Sequence, residues 1–286
     1  MTFFRSILAG TLFQKPFCLR SFALGVFIFS TTNAWAWPDK TVELVVGFPP
    51  GGVVDSMARI AAEGLAQELG KPVVVVNKDG AGGMIAAAYV AQAVPDGHTI
   101  AFSTVGPLNL QQYLHKSLAY KPERLTGICQ TFYNDLAIVV SPRSGYTDLK
   151  QVIEAARSHK HSFFYGVPGL GTVPHLAALQ LEQFAKLKLE AVSYKGDPGV
   201  LAALRSEEIE LGVIATGSAL TQGFQMLAVL APQRVHEAPG VPTATELGYP
   251  VLSQVLGGIY GAKAIPLEVR EQLQAACKAT VASSKY

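Results

Sequence analysis

Two hydrophobic periods take turns along this chain. From Thr41 the run VELVVGF is mostly apolar and predicts a short strand; a PPGG loop follows, and then Met57, Ile60, Ala61, Leu65 and Leu69 recur at the spacing of an amphipathic helix. Asp55 stands at the expected N-cap, and Gly70 followed by Pro72 closes the helix. The cycle then repeats, with a strand at Val73–Asn77, a KDGAGG loop, the apolar helix MIAAAYVAQAV stopped by Pro95-Asp96-Gly97, and a strand at Thr99–Thr104.

A second series begins at Leu136, where LAIVVSP leads into a helix with Leu149, Val152, Ile153 and Ala156 on one face. SFFYGVP, LEAVSYKG and IELGVIATG predict further strands, separated by GLGTVPHLAALQLEQFAK and DPGVLAALRSEE as helices; MLAVLAP (226–232) adds one more strand. Strands joined by helices through short loops imply parallel βαβ units, and strands without polar alternation imply a sheet covered on both faces. The fold class expected is α/β in two lobes, each a doubly wound, mostly parallel sheet. The glycine-rich stretch at 257–261 offers a way back to the first lobe, so lobe 1 is expected at 37–140 with 254–286, and lobe 2 at 141–253. Ligands of such sheets sit beyond the carboxyl ends of the strands, which puts the loops after Phe48, Asn77 and Thr104 on one edge.

The first 36 residues change what the composition means. They carry Arg5, Lys15 and Arg20 and no acid, their apolar run from Phe22 to Phe29 is too short to span a membrane, and Ala34-Trp35-Ala36 is an A-x-A cleavage site. A signal peptide cleaved after Ala36 is expected, with an uncleaved anchor as the alternative. Its removal leaves 20 basic and 21 acidic residues, a formal balance of −1. No Lys/Arg cluster remains to neutralise a run of phosphates, so nucleic acid is not an expected partner. Cys129 and Cys277, far apart in sequence, make no disulfide framework and no metal signature; they could pair in an oxidising periplasm, and two free, buried thiols is the preferred reading.

Two loops carry candidate chemistry. Gly51 and Gly52 precede a helix start, where bare amides and the positive end of the helix dipole suit an anion; a tight turn is the alternative. Gly169, Gly171 and Thr172 repeat that arrangement in the other lobe, and two such helix starts suggest a clamp. His175 is read as a ligand or base, although a lone histidine at a helix start more often caps or packs. Residues 77–83 fit the dinucleotide glycine spacing poorly, since Ile85 and a second-strand position break the pattern. Nucleophile-elbow, P-loop, H-E-x-x-H and C-x-x-C patterns do not occur, so no catalytic residue and no cofactor is named.

In order along the chain run GFPPGG-xx-D, V-x-N-x-x-GAGG, PDG-x-T, GLGT-xx-H, V-x-YKG and PGVPTATELG with the later GAKAIP. This series resembles the Bug family of solute-binding receptors of tripartite tricarboxylate transporters, from Trp37 to about Ala282. The resemblance implies a periplasmic, two-lobed (type II-like) monomer that binds a small organic carboxylate without a cofactor and delivers it to membrane subunits in the inner membrane. It implies a carboxylate held between the glycine loops by backbone amides, hydroxyls and ordered waters. Carried onto this chain, the pocket uses Phe48, Gly51, Gly52, Val53, Val54 and Asp55, Ser103 and Thr104, and Gly169, Gly171, Thr172 and His175. This chain departs from the family in three places. Val53 and Val54 replace small or hydroxylated residues, ELGVIATG replaces a segment that commonly carries an aspartate after the strand, and the sequence stops at Tyr286 where relatives continue. Two readings from other classes are a periplasmic enzyme on the same architecture and a ligand-presenting module for a membrane sensor kinase.

Overall fold

The structure is a computed structural model that describes residues 37–158, 163–284 and 286; the expected signal segment and its cleavage site lie outside the described residues. The chain opens with β1 (Val42–Val46), α1 (Val53–Leu69), β2 (Val73–Asn77), α2 (Met84–Gln92) and β3 (Thr99–Thr104), then two short helices, α3 (Gly106–Asn109) and α4 (Gln111–Leu114). A 16-residue strand, β4 (Leu125–Val140), leads into α5 (Leu149–Ser158), β5 (Phe164–Val167), α6 (Val173–Ala185), β6 (Glu190–Ser193) and α7 (Gly196–Arg205). β7 (Leu211–Ala215), α8 (Thr216–Thr221) and β8 (Gln225–Val229) follow, and β9 (Gln254–Ala262) and α9 (Leu267–Ala282) complete the described elements.

The strand order is β2-β1-β3-β9-β4-β7-β5-β6, with β8 also on β4. Each end of this path is a parallel trio of the expected kind: β1 pairs β2 and β3, and β5 pairs β6 and β7. The middle is antiparallel. β9 lies between β3 and β4, pairing Leu125–Asp135 of the latter, while β7 and β8 pair Leu136–Val140. The partner exchange between Asp135 and Leu136 thus carries the two trios on different stretches of one strand. β9 runs antiparallel to both β3 and β4, so β3 and β4 share a direction although residues 105–124 between them hold no helix longer than the four-residue α3 and α4.

Helices bury apolar faces on both trios. Ala58, Ala61 and Leu65 of α1 and Leu273, Ala276 and Cys277 of α9 pack on Val42, Leu44 and Val46, so the C-terminal segment completes the first half. α1 and α9 approach closely: a Cβ on Gly64 would collide with the Thr280 methyl. In the other half Leu149, Val152 and Ile153 of α5 join Ala177 and Leu181 of α6 on Leu136, Ile138 and Val140. Burying one such leucine side chain contributes roughly 1.5–3 kcal/mol.

The cysteine expectation is corrected. Cys129 on β4 and Cys277 on α9 form a disulfide across 148 residues of sequence, with Cα atoms 6.4 Å apart. No local spacing signals such a pair, because only the docking of α9 beside β4 brings the two together.

Candidate functional site

The loop before α1 is shaped from inside the fold. The N-cap of α1 is Gly52, which has no side chain to cap with, and Asp55 lies within the first turn. Its carboxylate reaches backwards, accepting the Gly51 N–H at 3.0 Å, Asn77 Nδ2 at 2.8 Å and both Arg59 Nε and Nη2 at 3.0 Å. Asn77 also donates to the Phe48 carbonyl at 2.9 Å, so the second strand end grips the first loop. Burial pushes the Asp55 carboxyl up, but the bonds from Arg59, Asn77 and Gly51 outweigh it and hold the group below its usual range.

The loop before α6 is also internally bonded. Thr172 Oγ1 donates to the Gly169 carbonyl at 2.6 Å, and the Gly171 N–H donates to His175 Nδ1 at 3.0 Å. His175 therefore accepts through Nδ1 as a neutral imidazole, burial pushes its pKa down, and its ring stacks on Tyr165. Both loops meet the KDGAGG turn. Gly82 has φ 61° and Gly169 φ 143°, and a Cβ on Gly169 would lie 3.2 Å from Gly82 Cα, so this contact requires glycine on conformational and steric grounds.

A pocket lies where these loops converge. Its walls include Phe48, Gly52, Val53 and Val54 at the start of α1, Thr172 and Val173 at the start of α6, and Gly196, Asp197 and Pro198 at the start of α7. Thr104, Asn134, Leu136 and Val255 close it from the strands. Its cavity volume is about 60 Å³, room for on the order of five waters or one small solute when each water needs about 10–15 Å³. Among the described residues no lysine or arginine lines it, and Asp197 is its one charged residue. The starts of α1, α6 and α7 bring the positive ends of three helix dipoles to this pocket, although Pro174 and Pro198 have no N–H and the Gly196 N–H is bonded to the Tyr194 carbonyl. Among the described residues no group of three or more His, Cys, Asp or Glu is placed to hold a metal ion.

Of the residues expected at the site, Phe48, Gly52, Val53, Val54, Thr104 and Thr172 line this pocket. The other six support it from behind. Gly51 spends its N–H on Asp55, and Asp55 fixes the loop. Gly169 and Gly171 receive the bond from Thr172 and give the bond to His175 respectively. Ser103 is buried with its hydroxyl against Gly47 and Gly83. Sequence reasoning missed Asn134 and the start of α7. Asp197 follows the V-x-YKG motif and lies in the first turn of α7. Its Oδ2 accepts the Ser218 hydroxyl at 2.5 Å and the Ala215 N–H at 3.3 Å. Burial pushes its carboxyl up to about 6, against the lowering effect of those two bonds.

The family model described as tripartite tricarboxylate transporter family receptor, TctC, matches residues 57–286. A UPF0065 protein of Bordetella pertussis is 31% identical over 242 residues, covering 82% of this chain and 75% of that protein. Protein BugT of the same organism is 30% identical over 238 residues, covering 79% and 73%. Similar solved structures include MatC of Rhodopseudomonas palustris with bound malate, at 28% identity and TM-score 0.81, covering 87% of this chain and 86% of that one. Rpa4515 of R. palustris with adipate has 28% identity and TM-score 0.82, covering 87% and 85%. The periplasmic binding protein BugD has 28% identity and TM-score 0.81, covering 87% and 85%. The chain belongs to the TctC family of tripartite tricarboxylate transporter receptors, as a solute-binding protein of the periplasmic type and not an enzyme.

Proposed function

We propose that this chain captures a small organic carboxylate in the pocket between α1, α6 and α7 and presents it to the membrane subunits of a tripartite tricarboxylate-type transporter. The observation that carries this reading is the meeting of three helix N-termini on one small pocket without a lysine or arginine among its described residues. Each such terminus favours a nearby anion by roughly 0.3–1 kcal/mol before its hydrogen bonds are counted. The malate and adipate held by MatC and Rpa4515 support the same chemistry. In this reading residues 37–140 with 254–286 and residues 141–253 act as lobes, β4 and β9 are the crossing strands, and closure removes water from the anion. The receptor works as a monomer, exported by residues 1–36 and cleaved after Ala36.

Calorimetry on the chain without residues 1–36, against small mono- and dicarboxylates and their amides, tests the reading. One acid should bind at one-to-one stoichiometry while its amide does not. An amide that binds as tightly as its acid would sink the anion site. The intact mass of exported protein checks the cleavage, which predicts a chain beginning at Trp37.

A further inference from the structure

The pocket proposed to take an anion is lined by an acid. Among the described residues Asp197 is its one charged residue, and the cations carried by α1, α7 and the α7 N-cap have partners elsewhere: Arg59 in Asp55, Lys195 in Asp79 at 3.5 Å, and Arg205 in Gln222 at 2.9 Å. Both hydrogen bonds to Asp197 fall on Oδ2, from Ser218 and Ala215, and among the described residues Oδ1 has no partner. The surroundings are apolar. Val53 reaches to within 3.8 Å of a Cβ position on Gly217 beside this group, and Pro198, Leu136 and Val255 share the wall. A charged group there is poorly solvated, so what faces it matters more than it would in water.

A dicarboxylate closed into this pocket would add two negative charges to that acid with no protein cation to offset them. A solute with one carboxylate on the α1 and α6 termini and a cationic N–H group on Asp197 would leave far less uncompensated charge. We infer that Asp197 is a specificity-determining residue whose free Oδ1 receives an ammonium group, so that the receptor selects amino-acid-like zwitterions over the matching acids without nitrogen. This rests on the carboxylate reading above. Asp197 also caps α8 through Oδ2, and that structural role alone would be kept by asparagine, whose carbonyl oxygen accepts the same two bonds.

The test is calorimetry on the chain without residues 1–36 and its Asp197→Asn variant, with the proteinogenic amino acids and their deaminated counterparts, including aspartate with succinate and glutamate with glutarate. In the wild type the tightest amino acid should bind about tenfold or more tightly than its deaminated counterpart, as a charge-assisted hydrogen bond requires. In Asp197→Asn that ratio should collapse, with the deaminated acid bound no more weakly than before. The inference is overturned by a deaminated acid that matches its amino acid in the wild type, by a preference that survives in the folded Asn variant, or by silence from every amino acid. Should the variant not fold, the wild-type ratio alone decides. Binding of a nitrogen-free acid with no amino-acid preference removes the role of Asp197 and leaves the carboxylate reading standing. Alaninamide bound as tightly as alanine, with no nitrogen-free acid bound, removes the carboxylate reading itself.

Discussion

The Gln111 carboxamide donates from Nε2 to the Gly171 carbonyl at 3.2 Å, joining the short helix after β3 to the loop that opens α6. Gln111 is fully buried, and among the described residues its Oε1 has no hydrogen-bond partner. The bond is made between the two loop systems that flank the pocket, so it contributes when they are closed together. Gln111→Ala should therefore weaken solute binding by about 0.5–1.5 kcal/mol, the net value of one such bond. Calorimetry measures that change, and small-angle scattering with and without solute should show a larger change in radius of gyration for the variant.

Asp55 makes a second, more local prediction. Its carboxylate ties together Gly51, Arg59 and Asn77, and through Asn77 the Phe48 carbonyl. Asp55→Ala leaves that buried arrangement without its acceptor and should cost on the order of 2–4 kcal/mol of stability. The pH dependence has a definite sign. The folded pKa is held below the ordinary value of 3.8, so the stabilisation is present above that value and is lost as pH falls through the lower folded one. Denaturant midpoints should show the gap between wild type and Asp55→Asn constant above about pH 5 and shrinking below about pH 4.

These two side chains mark where the sequence was and was not legible. The strand-loop-helix cycle around α1 could be read because its period and its glycines are local signals. Aspartate's N-cap preference suggested Asp55 for that position, yet Gly52 takes the cap and the acid turns back to the amide before it. The first eleven residues of β4 were missed because register shifts after Gly127 and Gln130 break the alternation a strand would show. Half of the expected site residues line the pocket. The other half support it, because sequence identifies which loops converge but not which of their amides are already bonded. Asp197 became visible only with Ser218 and Ala215 beside it, at a sequence distance where no motif operates.

The disulfide joins β4 to the C-terminal helix and so ties the returning segment into the first half. A cross-link over so long a loop restricts the unfolded chain strongly, and its loss typically costs about 2–5 kcal/mol. Replacing Cys129 and Cys277 together by serine should lower the free energy of unfolding by that amount while leaving solute affinity near the wild-type value, since neither residue lines the pocket. Equilibrium unfolding and calorimetry on the double variant test both halves of the statement. An affinity that falls with stability would mean that α9 positions the pocket as well as closing the core.

Gly52 offers the sharpest test of where the solute sits. Its φ of −77° is ordinary for any residue. An added Cβ would lie 3.5 Å from the Pro49 carbonyl and 3.7 Å from Pro198 Cδ, both normal contacts. Gly52→Ala should thus fold and bind nearly as the wild type does. A longer side chain continues toward Pro198, across the space between the starts of α1 and α7, and occupies the approach to the α1 terminus. Gly52→Leu should keep the thermal midpoint of Gly52→Ala and lose binding, because the solute and the leucine cannot share a cavity of about 60 Å³. Comparing the two variants by calorimetry separates obstruction from unfolding. A folded Gly52→Leu protein with unchanged affinity would place the solute elsewhere on the molecule.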